Sequence, residues 1–285
     1  MQNESKKSLD TLVKDVYGLF ENKHEFSEEN LNSFAAGVRD SVKKSVEEAG
    51  TKDTKHLRMS IIGLPDRKIW YMLNSDIKQI ISPATYIKFV FGHILEHLLL
   101  LLAKEAGHLV TDEQKKVSLG GVEGTMDCKI DGVPVDVKSA SSFAIKKFRN
   151  GTLNQDDPFG YIGQISGYTE AEGQEEAAFF VVNKEAGELV VLPVDDFDLI
   201  KASDRIEHLK KMVLLDHPPE KCYNDIADGK SGNRTLTSNC GYCPFKFDCW
   251  ADSNGGTGLR VFQYSNGSKY FTEVTREPRV DEISF

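Results

Sequence analysis

Two acids and a lysine stand where a short hairpin could bring them together. The run Gly124-Thr-Met-Asp127-Cys-Lys-Ile-Asp-Gly-Val-Pro-Val-Asp136-Val-Lys138 reads as two extended segments, 122–130 and 133–138, joined by Asp131-Gly132. A two-residue Asp-Gly link between extended runs is a strong hairpin signal. Side chains alternate along a strand, so Asp136 and Lys138 share one face and Val137 points to the other. Asp127 falls on the partner segment, within cross-strand reach if the turn sets the register. Two carboxylates beside an amine suit phosphodiester hydrolysis. Mg²⁺ or Mn²⁺ would be held by a few carboxylate oxygens, water and substrate phosphate. Such an ion polarises the phosphoryl group and acidifies the attacking water. The lysine can orient or deprotonate that water and offset transition-state charge.

An Asp and a Lys two apart on a strand are more often a solvated pair than a site. What strengthens the reading is company. Asp127 is a second acid at the right place, and Glu96 is a third, set in an apolar helix where a carboxylate needs a partner or a metal. Gln164 and Tyr168, four apart, share a helical face. His93 and His97 lie on the same helix as Glu96 and read more readily as packed histidines than as ligands. Cys128 should point away from Asp127 and reads as a small core residue.

Taken in order, Gly92-His-Ile-Leu-Glu96, Gly124-x-x-Asp127, Asp136-Val-Lys138 and Gln164-Ile-Ser-Gly-Tyr168 resemble the motifs of the PD-(D/E)XK nucleases, the last being similar to the Q-x-x-x-Y motif of their RecB-like branch. Within that branch the chain is most similar to phage-type exonucleases and to the iron–sulfur nucleases associated with CRISPR adaptation and with AddAB. The likeness spans roughly residues 85–250. It implies that Asp127 and Asp136 ligate the metal with help from the Val137 carbonyl, that Lys138 is the catalytic lysine, and that Glu96 is the acid of the first core helix. Many RecB-like members have His at that helix position. It implies that Gln164 and Tyr168 contact DNA or orient Lys138. The implied activity is a metal-dependent DNA exonuclease working in phage DNA degradation, recombination or replication. The alternatives are an endonuclease or end-trimming subunit of a larger complex, and a nucleic-acid-binding protein without activity.

Four of the five cysteines gather near the end of the chain: Cys222, Cys240, Cys243 and Cys249. In a reducing compartment such a group reads as a metal site rather than a disulfide framework. Four thiolates suit a [4Fe–4S] cluster or structural Zn²⁺. Zinc ribbons usually carry two C-x-x-C pairs, and here there is one. The C-x2-C-x5-C spacing resembles the iron–sulfur clasp of RecB-like nucleases, although in many of those the first cysteine precedes the nuclease core, whereas Cys222 follows it. The resemblance implies that the cluster pins a loop-rich lobe.

The elements that must position these residues follow from periodicity. Helices are expected over 8–22 and 27–49, with Ser27 as N-cap and Gly50 as stop. A turn falls at Leu64-Pro65-Asp66 within a mixed stretch, 51–80. Ser82-Pro83 opens a helix running to about Ala106 and stopped by Gly107. Its middle is apolar nearly all round and should be buried. Further helices are expected over 141–149, 158–172 and 195–215. A hairpin over Ala177–Asn183 and Glu188–Pro193 turns at Ala186-Gly187, and another spans Leu259–Tyr264 and Lys269–Val274 around Asn266-Gly267. The fold class is α/β: a restriction-endonuclease-like core, a small mixed sheet flanked by helices. The division expected is a helical N-terminal region (1–80), the core (81–215), a Cys-rich lobe (216–255) and a C-terminal hairpin (256–285).

Bulk properties bound the partners. With 285 residues, 40% hydrophobic and 28% charged, the chain can bury a sizeable core. A net charge of -9 argues against indiscriminate polyanion binding, so contact with DNA must be local. Lys146, Lys147 and Arg149 around Phe148 suit a phosphate track with base stacking, and Arg58, Arg67 and Lys68 with Trp70 could extend it. The polar start MQNESKKSLD shows no signal segment, and the apolar run Ile94–Ala103 is short and interrupted by charge, so no membrane partner is expected. A cytoplasmic protein follows, in the host cytoplasm if phage-encoded. Besides DNA, a second copy or a replication or recombination protein is an expected partner.

Overall fold

The computed structural model describes residues 7–50, 55–77 and 81–284. The first six residues, including most of the polar start read for a signal segment, lie outside that set, as do parts of the stretch 51–80. In chain order the elements are α1 (Leu9–Glu21), α2 (Glu28–Glu47), α3 (Asp66–Asn74), α4 (Pro83–Glu105), β1 (Val110–Thr111), β2 (Lys115–Leu119), β3 (Val122–Met126), β4 (Cys128–Ile130), β5 (Val133–Ala140), α5 (Ile145–Arg149), α6 (Tyr161–Ala171), β6 (Ala177–Asn183), β7 (Leu189–Val194), α7 (Ala202–Met212), β8 (Ile226–Ala227), β9 (Arg234–Thr235), α8 (Ser238–Gly241), α9 (Lys246–Cys249), β10 (Arg260–Tyr264) and β11 (Gly267–Glu273).

The α/β class is observed. A five-stranded mixed sheet runs β1-β4-β5-β6-β7, with β5 and β6 parallel and the other pairs antiparallel. Its strands alternate between two buried layers. Val135, Val137, Phe180 and Val182 face Leu12 and Val16 of α1 and Leu99 and Leu102 of α4. Phe179, Val181 and Val194 face Ile145 and Phe148 of α5 and Ile162 and Ile165 of α6. Each fully buried Phe or Leu in these layers contributes roughly 1.5–3 kcal/mol. Strand β6 is covered on both sides, which is why AAFFVVN is a continuous apolar run rather than an alternating one.

Asp131 (φ 53) and Gly132 (φ 91) both adopt left-handed conformations at the β4–β5 turn, as a two-residue hairpin link requires. The expected strand 122–130 is interrupted, however. β3 pairs with β2 in a separate two-stranded sheet, while β4 pairs with β5, and Asp127 stands at the break. The helix expected over 195–215 is confined to α7, because Asp195 folds the preceding residues into a turn, its carboxylate accepting the Phe197 N–H. The helix expected over 141–149 begins only at Ile145. Helix α3 was not foreseen within 51–80.

Helix α4 is capped by Ser82, which accepts the Thr85 N–H, with Pro83 in the first turn. Only its C-terminal part, from Leu99 to Ala103, is buried; Ile87, Phe89 and Phe91 are exposed. Burial of the whole middle is thus corrected. By length and composition α4 could cross a bilayer, contrary to the reading from its apolar run. Here its buried end packs on the sheet. Its Glu105 accepts hydrogen bonds from Ser27 and Asn30 and contacts His24, holding that carboxyl at about 2 against the opposing effect of burial.

Contacts group the chain into two units: Met1–Leu64 with Ile80–Lys211, and Pro65–Gln79 with Met212–Phe285. Residues 66–74, which form α3 and were expected with the N-terminal region, therefore group with the Cys-rich segment. That second unit has a four-stranded sheet, β10-β11-β9-β8, and buried apolar residues that include Ile69, Leu236, Trp250, Phe262 and Phe271.

In the first unit, a glycine contact seats α6. A Cβ on Gly163 would come 2.3 Å from the Gly63 Cα, a backbone clash with no flexible atom to yield. Gly163→Ala should destabilise the protein by roughly 1–3 kcal/mol or more, through overpacking. Urea unfolding measures it, and a change below about 0.5 kcal/mol would show that the two segments do not pack this closely.

Candidate active site

Strand β5 carries Asp136 and Lys138 on the face that receives α6, since they register with Phe179 and Val181. Asp136 is 1% exposed. Its Oδ2 lies 2.5 Å from the Lys138 Nζ, and its Oδ1 accepts a hydrogen bond from the Gln164 amide at 3.3 Å. The same amide reaches the Tyr168 hydroxyl at 3.1 Å. Asp127 follows directly on the Cys128–Val135 pair, which brings it beside Asp136 on the neighbouring strand. Its Oδ2 accepts the Val137 N–H at 2.8 Å, so the backbone of β5 pins the broken strand in place.

Glu96 approaches from α4. It accepts a hydrogen bond from Gln114 at 2.7 Å and lies 3.8 Å from His93. Glu96, Asp127, Val137, Lys138, Ser139 and Tyr161 line one cavity of about 570 Å³. The Tyr161 ring sits under the lysine, 5.0 Å from Nζ. Gln114 and Tyr161 were not anticipated. Neither carries a spacing signal, because each reaches the site through packing of a separate element.

Electrostatics register the crowding. Burial pushes the Asp127 carboxyl well above the ordinary 3.8, and the charges of Asp136 and Glu96 push it the same way. Burial also raises Asp136, with Lys138 opposing. Burial works against the Lys138 charge, but Asp136 and Asp127 outweigh it, so the amine stays protonated. Two buried acids near a third repel one another unless a cation intervenes. The chemistry of the donor set therefore fits a hard divalent cation, with Asp127 and Asp136 as first candidates and Glu96 beside them. Among the described residues, no three His, Cys, Asp or Glu side chains are already gathered in metal-binding geometry. Asp136 is turned to Lys138 instead.

Other anticipated residues fall elsewhere. Tyr168 is 2% exposed, and Gln164 grips Asp136 rather than Lys138, so this pair holds the acid from a nearly buried position. His97 bonds to Ser41 at 2.9 Å and packs over Gly37, an ordinary packed histidine, while His93 opens onto the cavity. Cys128 is fully buried on the opposite face, as expected. Phe148 is buried in the α5–α6 layer, which removes it as a stacking surface for bases. Lys147 pairs with Asp156 and Arg149 with Glu188, leaving Lys146 exposed and pointing outward from α5. A second cavity of about 580 Å³ shares His93 with the first and is lined by Arg58, Lys116, Gln164 and Tyr168 among others. The Arg58 Nη1 is buried there with no hydrogen-bond partner.

In the second unit the backbone of Lys68 and of Phe245 draws the thiols of Cys222 and Cys243 down, as Thr237 and Trp250 do that of Cys240. The Arg67 Nε donates to the Cys249 sulfur at 3.0 Å. Arg67 also donates to the Pro219 and Cys249 carbonyls, and Trp70 to the Leu215 carbonyl, which makes both parts of this unit's packing rather than a DNA track. Burial raises the thiols of Cys222, Cys240 and Cys243, and each feels the charge of neighbouring cysteines. No three of them are close enough to share one ion.

No protein-family model matches the sequence, and no curated protein matches it either. Among solved structures the chain is similar to SSO0001, at 15% identity over 73% of this chain and 93% of that one, with a TM-score of 0.43. It is also similar to an alkaline exonuclease, LHK-Exo, from Laribacter hongkongensis, at 14% identity over 56% of this chain and 85% of that one, with a TM-score of 0.38. The complex of LHK-Exo with dAMP gives 14% identity and a TM-score of 0.37. Likenesses this distant assign no role to any residue.

The crowded acids imply a pH dependence in metal-free protein. An acid whose pKa is higher folded than unfolded holds more protons when folded, so stability falls as pH rises from 3.8 through the raised value. Asp127→Asn removes that loss and keeps an acceptor for the Val137 N–H. In EDTA it should be more stable than wild type at pH 7, the gap closing toward pH 4, by urea unfolding. A variant no more stable at pH 7 would show that these carboxylates are not crowded.

Proposed function

We propose that the chain is a divalent-metal-dependent DNA exonuclease with a restriction-endonuclease-like core of the RecB-like PD-(D/E)XK kind. The observation that supports it most is the buried Asp136, shared between the Lys138 ammonium and the Gln164 amide beside a destabilised Asp127. A structural ion pair does not need a second and third acid next to it. A divalent Mg²⁺ or Mn²⁺, when bound by Asp127, Asp136 and Glu96 with the Val137 carbonyl, would polarise the phosphoryl group and acidify the attacking water. Lys138, kept protonated, offsets charge building on the phosphoryl oxygens. Gln164 holds the Asp136 carboxylate in orientation, and Tyr168 holds Gln164. DNA phosphates would meet Lys146 and the Arg58–Lys116 cavity, local cations on an acidic protein. The cellular setting that fits is cytoplasmic, in phage DNA degradation, recombination or replication.

The cysteines are proposed to hold a [4Fe–4S] cluster, with structural Zn²⁺ as the alternative. The Arg67 guanidinium donating to the Cys249 sulfur suits a thiolate there. The C-x2-C-x5-C spacing of Cys240, Cys243 and Cys249, with Cys222 as a fourth thiol, supports the cluster over zinc.

End-labelled linear DNA tests the activity. Wild type should release nucleotides with Mg²⁺ or Mn²⁺ and none in EDTA, and Asp136→Ala and Lys138→Ala should lower the rate at least about 10²-fold. Undiminished digestion by Asp136→Ala overturns the site, and cleavage of closed circular DNA would make the enzyme an endonuclease.

Anaerobic protein should show iron–sulfur absorption that Cys240→Ser loses. A colourless wild type with one zinc per chain would decide for the alternative.

A further inference from the structure

The cavity at the acids has a wall that the proposed hydrolysis does not use. Tyr86, Phe89, His93 and Glu96 of α4 all line it. Their spacing, i, i+3, i+7 and i+10, places them on one face of the helix. Two aromatic rings therefore lead along the helix to the histidine and then to Glu96. Phe89 is 49% exposed, although it sits in a cavity that also holds Lys88, Lys138 and three carboxylates, Glu48, Glu96 and Asp127.

The two rings are held rather than loose. The Tyr86 hydroxyl accepts the Gly50 N–H at 2.8 Å, and the rings meet edge to face at 6.2 Å. An edge-to-face pair leaves an aromatic face open. Ile87 and Phe91 are exposed too, but they do not line the cavity.

We infer that Tyr86 and Phe89 form a stacking platform for unpaired bases of the strand whose phosphodiester reaches Asp127 and Asp136. This rests on the nuclease reading and deepens it: the group admitted to the cavity is single-stranded, either a free strand or a melted end. Bases offer a flat π face whatever their identity, so the platform is tolerant of sequence. Both faces of a base pair inside a duplex are already stacked and closed to Phe89, so beyond the outer face of a terminal pair only unpaired bases can reach it. The exposed Lys88 lies beside the rings in the same cavity, where a strand's phosphate can meet it.

The test uses full-length protein in EDTA, where nothing is cut, with oligonucleotides carrying 2-aminopurine, whose emission is quenched by stacking. Three probes separate the cases: a single strand, a blunt duplex, and a duplex with an unpaired end. Wild type should quench the first and third. Phe89→Leu keeps an apolar side chain on an exposed site but removes the π face. It should lose the quenching and weaken single-strand binding by roughly 5- to 150-fold, the range given by loss of one base–aromatic stack. Tyr86→Phe keeps the ring and should retain the quenching.

Quenching and binding in Phe89→Leu equal to wild type would overturn the platform. So would an equal loss on blunt duplex, or no quenching by wild type. A change in oligomeric state of Phe89→Leu on sedimentation would overturn it in favour of an interface between copies. Wild type that cuts DNA without quenching the probe refutes the platform alone, whereas Asp136→Ala that cuts normally refutes the nuclease site, whatever the probe shows.

Discussion

Burying the Asp136 carboxylate on a central strand costs several kcal/mol unless its charge is met, and the neighbouring elements are arranged to meet it. Lys138, two residues along the same strand, supplies the opposite charge at 2.5 Å. Gln164 supplies a hydrogen bond from α6, and Tyr168 fixes Gln164 from the next turn. This compensation covers Asp136 but not its neighbours. Asp127 keeps a single backbone donor and suffers the fields of Asp136 and Glu96. The site is thus balanced around one acid and overcharged around the next. A cation can exploit that condition, and an ordinary structural salt bridge avoids it.

Helix α4 joins two environments. Its last turns are packed into the sheet layer, and its end is tied to the start of α2 through Glu105. With that end fixed, the first turns can remain open and apolar without loss of position. His97 over Gly37 and bonded to Ser41 sets how α2 lies along it. Glu96 falls where the buried and open parts meet, so its carboxylate is held by Gln114 yet still faces the cavity.

The second unit meets a different constraint. Its elements are short, and its buried apolar residues, among them Ile69, Trp250, Phe262 and Phe271, are spread over several of them. Arg67 of α3 donates to the Cys249 sulfur and to the Pro219 and Cys249 carbonyls, which ties that helix to the cysteine-bearing segment. The grouping of α3 with residues far along the chain follows from these contacts.

Local signals made much of this readable. The Asp131-Gly132 turn set the β4–β5 register, and the period-two pattern then placed Asp136 and Lys138 together, because both depend only on near neighbours in sequence. Ser82-Pro83 opened α4, and the cysteine spacing marked the second unit, for the same reason. Long-range packing decided the rest. It broke the strand at Asp127, left half of α4 open, buried Phe148 and Tyr168, paired Lys147 and Arg149 with acids, and brought Gln114 and Tyr161 to the site. Periodicity says that a face is apolar, but not which surface will cover it. That is settled only when elements distant in the chain compete for the same surface.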